Sequence, residues 1–454
     1  MSALLIRGGE VDGRRADVLV DDGRIVAVGA DLRPSGSPDT WDVDGGAVLP
    51  GLHDHHLHLL AMAAAAGSLD LTDPAGGIEE AVRRAAADVA PGGWLRAVGH
   101  HAAGGDVDRA RLDDWAGPVP VRLQDASGAL WILNSAALAA VAAAGIEVGA
   151  DAAASGWILR EDEALAAVWP TPALDLAAVG HGLAARGVTG VTDATPFTDP
   201  GGPTLLAAAV ADGQLPQHVV LTGHPSLDPS DALPVGPAKV IIGDHHLPEL
   251  GDLVNSIAAA HAAGRPVAVH CVTADALALL LAAWAEVGAW PTDRVEHGAV
   301  IPATALPALA ALGVTVITQP GFVAERGDRY RAEVDEGEQP DLWRCATLLD
   351  GGVRVGAGTD APYGPADPWR AMAAAVNRRT PSGAIMGDDE RLAPGRALGL
   401  FLGAADDPGG PPRRVEAGAS ADLCVLDRPR VEALADLAAV GVTVSFVAGV
   451  AVSV

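Results

Sequence analysis

From residue 187 to residue 360, short apolar segments alternate with runs rich in Ala and Leu, and this succession constrains the fold more than any other feature. The segments 188–193, 218–222, 238–243, 266–271, 294–297, 314–319 and 353–360 have strand length, while 248–263, 274–287 and 306–311 carry a helical pattern. Strand, helix and strand in strict order make a crossover that joins parallel strands. One more apolar run, 46–52, precedes them and is broken by Pro50-Gly51. Eight parallel βα units are the count of a (β/α)8 TIM barrel, an α/β fold.

The run at 46–52 leads straight into His53, His55, His56 and His58. Side chains alternate along a strand, so His56 and His58 share one side and His53 and His55 the other. Either pair of imidazoles can share a metal ion, and parity alone leaves the choice open.

Active sites of such barrels gather at the C-terminal strand ends. Those ends carry His56 and His58 on the first strand, His270 on the fifth, His297 on the sixth and Asp360 on the eighth. The fourth carries Lys239, the single lysine of the chain, which makes the remaining 29 of its 30 Lys+Arg residues arginine. A single buried strand-end histidine is ordinarily a packed, hydrogen-bonded core residue. Four histidines, an aspartate and the lysine at one mouth form a metal-binding type of donor set. A lysine kept where arginine serves everywhere else marks a need for an amine, which guanidinium cannot supply. The plain alternative is a rim lysine paired with an acid such as Asp244.

Residues 1–47 alternate apolar and polar around a hairpin turn at Asp22-Gly23, and residues 405–454 return to that texture. The expected organisation is a small β-sandwich built from both chain ends, 1–47 and 405–454. Between them lies a barrel segment, 48–404, with a large insertion at about 60–185. Within the insertion, 78–90 and 134–144 read as helices and 94–98 and 119–123 as strands. His100-His101 reads as a solvated loop, and Trp131 as core.

A formal charge of −28 and a pI near 4.7 argue against nucleic acid and anionic membranes as partners. No apolar segment reaches the ~20 residues that span a bilayer, and the N-terminus shows no secretion leader. Cys271, Cys345 and Cys424 form no CxxC pair and suit a cytoplasmic protein. The expected partner is a small-molecule substrate, a reading compatible with a homo-oligomer.

Pro50-Gly51-Leu52-His53-Asp54-His55-His56-Leu57-His58 resembles the PGxxDxHxH motif of the amidohydrolase superfamily. The stretches Ala268-Val269-His270, Arg294-Val295-Glu296-His297 and Gly358-Thr359-Asp360-Ala361-Pro362 resemble strand motifs of its N-substituted formamide deformylase branch. The segment 415–426 is similar to that branch's closing GxxADLVVL pattern. The resemblance selects His56 and His58, and implies a metal site of His56, His58, Lys239, His270, His297 and Asp360. It implies one or two divalent ions, commonly zinc, with Lys239 carboxylated as a bridge in binuclear members. It also implies hydrolysis of a non-peptide C–N bond through a metal-bound hydroxide, with Asp360 moving the proton. After Lys239 the text runs Val-Ile-Ile-Gly-Asp244-His245-His246, unlike the relatives' Asp-Gly-Ser. Thr318-Gln319-Pro320 and 327–330 read as pocket elements. The competing readings are a mononuclear deaminase of a heterocycle and a non-catalytic scaffold.

Overall fold

The computed structural model describes residues 3–452 except 73, 101–106, 126–127, 129, 160–164, 166–167, 170–173, 228–232 and 244–245. The chain divides into two compact units, residues 1–59 with 176–454, and residues 60–175.

The first unit is mixed α/β and holds eight parallel strands. They are β1 (Leu52–Leu57), β2 (Val188–Asp193), β3 (His218–Leu221), β4 (Ala238–Ile241), β5 (Val267–Cys271), β6 (Arg294–His297), β7 (Thr315–Thr318) and β8 (Arg354–Ala357). One sheet has the order β3-β2-β1 and another the order β4-β5-β6-β7-β8, every neighbour parallel. Helices such as Leu250–Ala262 and Ala274–Val287 connect successive strands. Strands buried on both faces read as near-continuous apolar runs, which is why their positions were legible in the sequence, although the eighth ends at Ala357 rather than at 360.

Both chain ends contribute to the same unit. Strands Leu4–Val11, Arg14–Asp21, Arg24–Gly29 and Asp39–Asp42 form one four-stranded sheet; Val48–Pro50, Leu423–Leu426, Val442–Val447 and Val450–Val452 form another. Leu4, Ile6, Val18 and Ile25 share a buried core with Val425, Val444 and Phe446.

The second unit carries a five-stranded sheet whose one face packs Val82 and Leu112 of two helices against Leu123 and Ile132. Asn134 caps the helix Ser135–Ala143 by accepting from Ala137 N, so its role there is structural. Trp131 is buried in a core cluster with Leu133 and Val141.

Two expectations change. The run 46–52 is not one strand leading into the histidines: Val48–Pro50 pairs antiparallel with Leu423–Leu426, and the histidine-bearing segment is itself β1. The chain changes sheets at Gly51, whose N–H donates to Asp422 O and where a Cβ would lie 2.2 Å from Thr189 Oγ1. Only glycine fits so close an approach. His100 ends the strand Leu95–His100 and is buried rather than solvated, whereas His101 falls outside the described residues. Among the described residues no helix is long and apolar enough to cross a membrane.

Candidate metal centre

All six residues of β1 are buried, including His53, Asp54, His55 and His56. Alternation turns Asp54 and His56 to one side and His53 and His55 to the other. On the second side the two rings stack at 4.5 Å, and His53 Nε2 meets Thr192 Oγ1 at 2.9 Å. Those rings lie nearly parallel rather than converging, so they do not aim nitrogen lone pairs at a common point.

His56 stands at the centre of the other side. Its ring lies 4.7 Å from that of His297 and 5.5 Å from that of His58, and His297 lies 4.5 Å from His270. The donor atoms of His56, His297 and Asp360 fall within 4.8 Å of one another. Asp360 Oδ1 lies 3.6 Å from His56 Nε2 and 3.3 Å from His58 Nε2. His270 joins the cluster through its edge contact with His297.

His56 Nε2 and Asp360 Oδ1 are both buried and lack a hydrogen-bond partner. Two such atoms facing each other are costly unless something lies between them. Donors about 2.0–2.2 Å from one tetrahedral zinc stand roughly 3.3–3.5 Å apart. The observed 3.3 and 3.6 Å separations match that edge length, so the residues fit a divalent ion.

The electrostatics favour the metal-binding protonation states. Burial pushes the His56 and His297 imidazoles well below their usual range and keeps them neutral, as ligation requires. For Asp360 burial acts upward, but contact with His58 and the nearby His56 and His297 outweigh it, holding the carboxyl below the usual range. Lys239 is buried, and that burial lowers its amine against the opposing pull of Glu296 and Asp360. Its amine therefore lies inside the protein, where Glu296 and Asp360 are the acids that act most strongly on it. Asp244 and His245 lie outside the described residues.

Surrounding groups hold these side chains in place. Asp54 takes hydrogen bonds from Thr359 N at 3.0 Å, Thr359 Oγ1 at 2.6 Å and His56 N at 3.2 Å, tying β1 to the loop that bears Asp360. Burial raises its carboxyl to about 7 against those bonds. Asp193 accepts from Leu59 N and Thr195 N, which brings Thr195 Oγ1 within 3.0 Å of His58 Nδ1. Gln319, read in the sequence as a pocket element, instead pairs its Oε1 with His297 Nδ1 at 2.9 Å. Tyr330 packs against Trp343, and Tyr363 stands 5.5 Å from His58. Asp193 and Thr195 were not singled out by sequence reasoning, and Asp54 and Gln319 were not read there as supports of the histidines. The available signal was a polar side chain inside a short buried strand or at its end.

His297 and Asp360 have φ of +70° and +55°. Such conformations cost non-glycine residues about 1–3 kcal/mol each and persist where surrounding structure enforces them. Here the enforcing contact is close: Asp360 N donates to His56 O at 2.8 Å, and a Cβ on Gly358 would lie 2.6 Å from His56 N. Gly358→Ala is expected to push β8 away from β1, costing about 1–3 kcal/mol by overpacking and most of the bound metal. Thermal unfolding and metal content check this; an unchanged metal content would show the approach to be dispensable.

Comparison with known proteins gives a consistent result. The sequence profile described as "Amidohydrolase family" matches residues 39–453. An N-substituted formamide deformylase from Arthrobacter pascens is 27% identical over 491 aligned residues, covering 91% of this chain and 90% of that protein. Among solved structures, an uncharacterized metal-dependent hydrolase from Pyrococcus horikoshii superposes with a TM-score of 0.77 at 20% identity, covering 94% of this chain and 98% of that one. N-isopropylammelide isopropylaminohydrolase from Burkholderia multivorans gives a TM-score of 0.55 at 19% identity, over 100% of this chain and 98% of that one.

Proposed function

The chain belongs to the amidohydrolase family, and from that premise we propose that it is a metal-dependent hydrolase of amide-type C–N bonds in small, non-peptide molecules. The observation that carries this reading is the facing pair of partnerless buried atoms, His56 Nε2 and Asp360 Oδ1, within a cluster of imidazoles. N-formyl and N-acyl amines are the first class to test, since the Arthrobacter relative is named for N-substituted formamides.

The two parallel sheets are read as one closed (β/α)8 barrel. Supporting closure at one seam, Asp360 N reaches His56 O; at the other, Lys239 N donates to Gly223 O beyond β3. The chain-terminal sheets with their shared core are read as a β-sandwich domain of residues 1–47 and 405–454. The barrel mouth then takes its donors from β1, β4, β5, β6 and the end of β8.

His56, His58, His270, His297 and Asp360 are the residues to hold the ion or ions. One or two divalent ions there, zinc by the nitrogen-rich donor set, would polarise the scissile carbonyl and acidify water. Lys239 would join two ions as a carbamate: its neutral amine adds CO2, an N–C bond forms and a proton leaves the nitrogen. Asp360, ionised and aimed at His56 and His58, would take the proton of the attacking water and deliver it to the leaving nitrogen. The second reading, a deaminase with a single ion, has no use for a buried lysine among the acids. A scaffold relative would not need to keep a complete donor set.

Metal analysis of the purified protein, combined with a hydrolysis screen over N-formyl, N-acyl and cyclic amides, tests the proposal. At least one equivalent of divalent metal and carboxylate release abolished by chelation are expected. Ammonia release from heterocycles would favour the deaminase. A folded protein that takes up no divalent metal would refute both enzymatic readings.

A further inference from the structure

Strand β6 carries two charged residues inside the protein. Arg294 and Glu296 are buried two positions apart, so they project to the same side of the strand. Arg294 Nε donates to Glu296 Oε1 at 2.7 Å, and its NH2 group donates to His55 O at 2.9 Å. The other carboxylate oxygen, Glu296 Oε2, makes a short contact with His56 Nδ1. Both oxygens of Glu296 are thus engaged, one by a cation and one by an imidazole. Both partners also lead to β1, the strand of His56.

Burying an ion pair is a poor way to gain stability, because desolvation cancels most of the attraction. A purely adhesive role could be filled by apolar side chains of the same volume. The arrangement does something apolar residues cannot. A carboxylate can only accept, so it places the His56 proton on Nδ1 and leaves the lone pair on Nε2. That nitrogen is the partnerless one facing Asp360.

Two of the other rings meet neutral partners through Nδ1. His297 meets the Gln319 amide oxygen at 2.9 Å, and His58 the Thr195 hydroxyl at 3.0 Å. Of these three, His56 alone has an anion in hydrogen-bond contact with Nδ1, since the Asp360 carboxylate stands 3.9 Å from His297 Nδ1, and an anion raises the basicity of the opposite nitrogen most. Arg294 fixes that anion from behind and grips the backbone of β1 one residue before His56.

We propose that Glu296, held by Arg294, is a positioning residue that fixes His56 as an Nε2 donor and strengthens it as a ligand of the site. This rests on the metal-site reading given above. It adds residues outside the donor set to the determinants of metal affinity.

Glu296→Gln keeps the shape but offers Nδ1 a neutral group that can accept or donate. Its metal Kd, measured by competition with a chromophoric chelator, is expected to rise about 10–100-fold. Because this variant leaves Arg294 without its anion and risks misfolding, the double variant Arg294→Met/Glu296→Gln provides the second measurement. Removing both charges together is often neutral for stability. The double variant is expected to melt near the wild type in the metal-free state yet show the same loss of affinity. The visible absorption of the Co2+-substituted double variant should also shift. Metal affinity within twofold of wild type and an unchanged Co2+ spectrum would leave the pair a structural clamp and overturn the proposal. Wild-type protein that binds no metal would overturn this proposal and the site reading together.

Discussion

Asp360→Asn is expected to retain most of its metal and to lose roughly two to four orders of magnitude in turnover, the usual scale for a general acid–base group. The amide keeps the size of the carboxylate and one oxygen donor, so the left-handed backbone at Asp360 and its bond to His56 O are undisturbed. What is lost is the ability to hold a proton between attack and departure of the amine. Burial acts against ionisation of this group, but contact with His58 leads the effects that outweigh it, so the carboxyl stays below its usual range. Asn cannot reproduce that charge. Turnover on any substrate found in the hydrolysis screen, set beside metal content, checks the prediction. Near-normal turnover would remove Asp360 from the mechanism. Loss of metal in parallel with activity would make it a ligand only.

Lys239→Arg is expected to lose at least one equivalent of metal and nearly all activity, although it preserves the charge of the free side chain. A guanidinium cannot form the carbamate, and a fixed cation beside divalent ions repels them. The strength of the effect follows from location: Lys239 is buried on β4, where Glu296 and Asp360 are the acids that act most strongly on it. Lys239→Ala should regain part of its activity with added short-chain carboxylates, which can supply the two missing oxygens. Elemental analysis against activity decides. Two equivalents of metal retained in Lys239→Arg would show that the amine serves only to pair with those acids.

The sequence was most informative where one local period dominates. Strands buried on both faces appear as short apolar runs, and the limits 188–193 and 294–297 agree with the structure residue for residue, as does the helix 274–287. The candidate donors stood out because histidine at the end of an apolar strand is conspicuous, and because Lys239 is alone among arginines. A change of sheet within a continuous apolar stretch has no such period. Residues 46–52 read as one strand, and only the space at Gly51, set by Thr189 from a strand far along the chain, divides them.

The supporting residues were hidden for the same reason. Nothing local says that Asp54 will be bound by Thr359, 305 positions away, or that Glu296 will meet His56 across 240 positions. By itself, the sequence determined the element pattern and the donor types, since both depend on side-chain chemistry repeated at short range. The tertiary structure alone decided that His56 turns Nδ1 to Glu296 and Nε2 towards Asp360, and that Asp54 is bound by Thr359. Those outcomes depend on contacts between strands that meet only once the chain has folded.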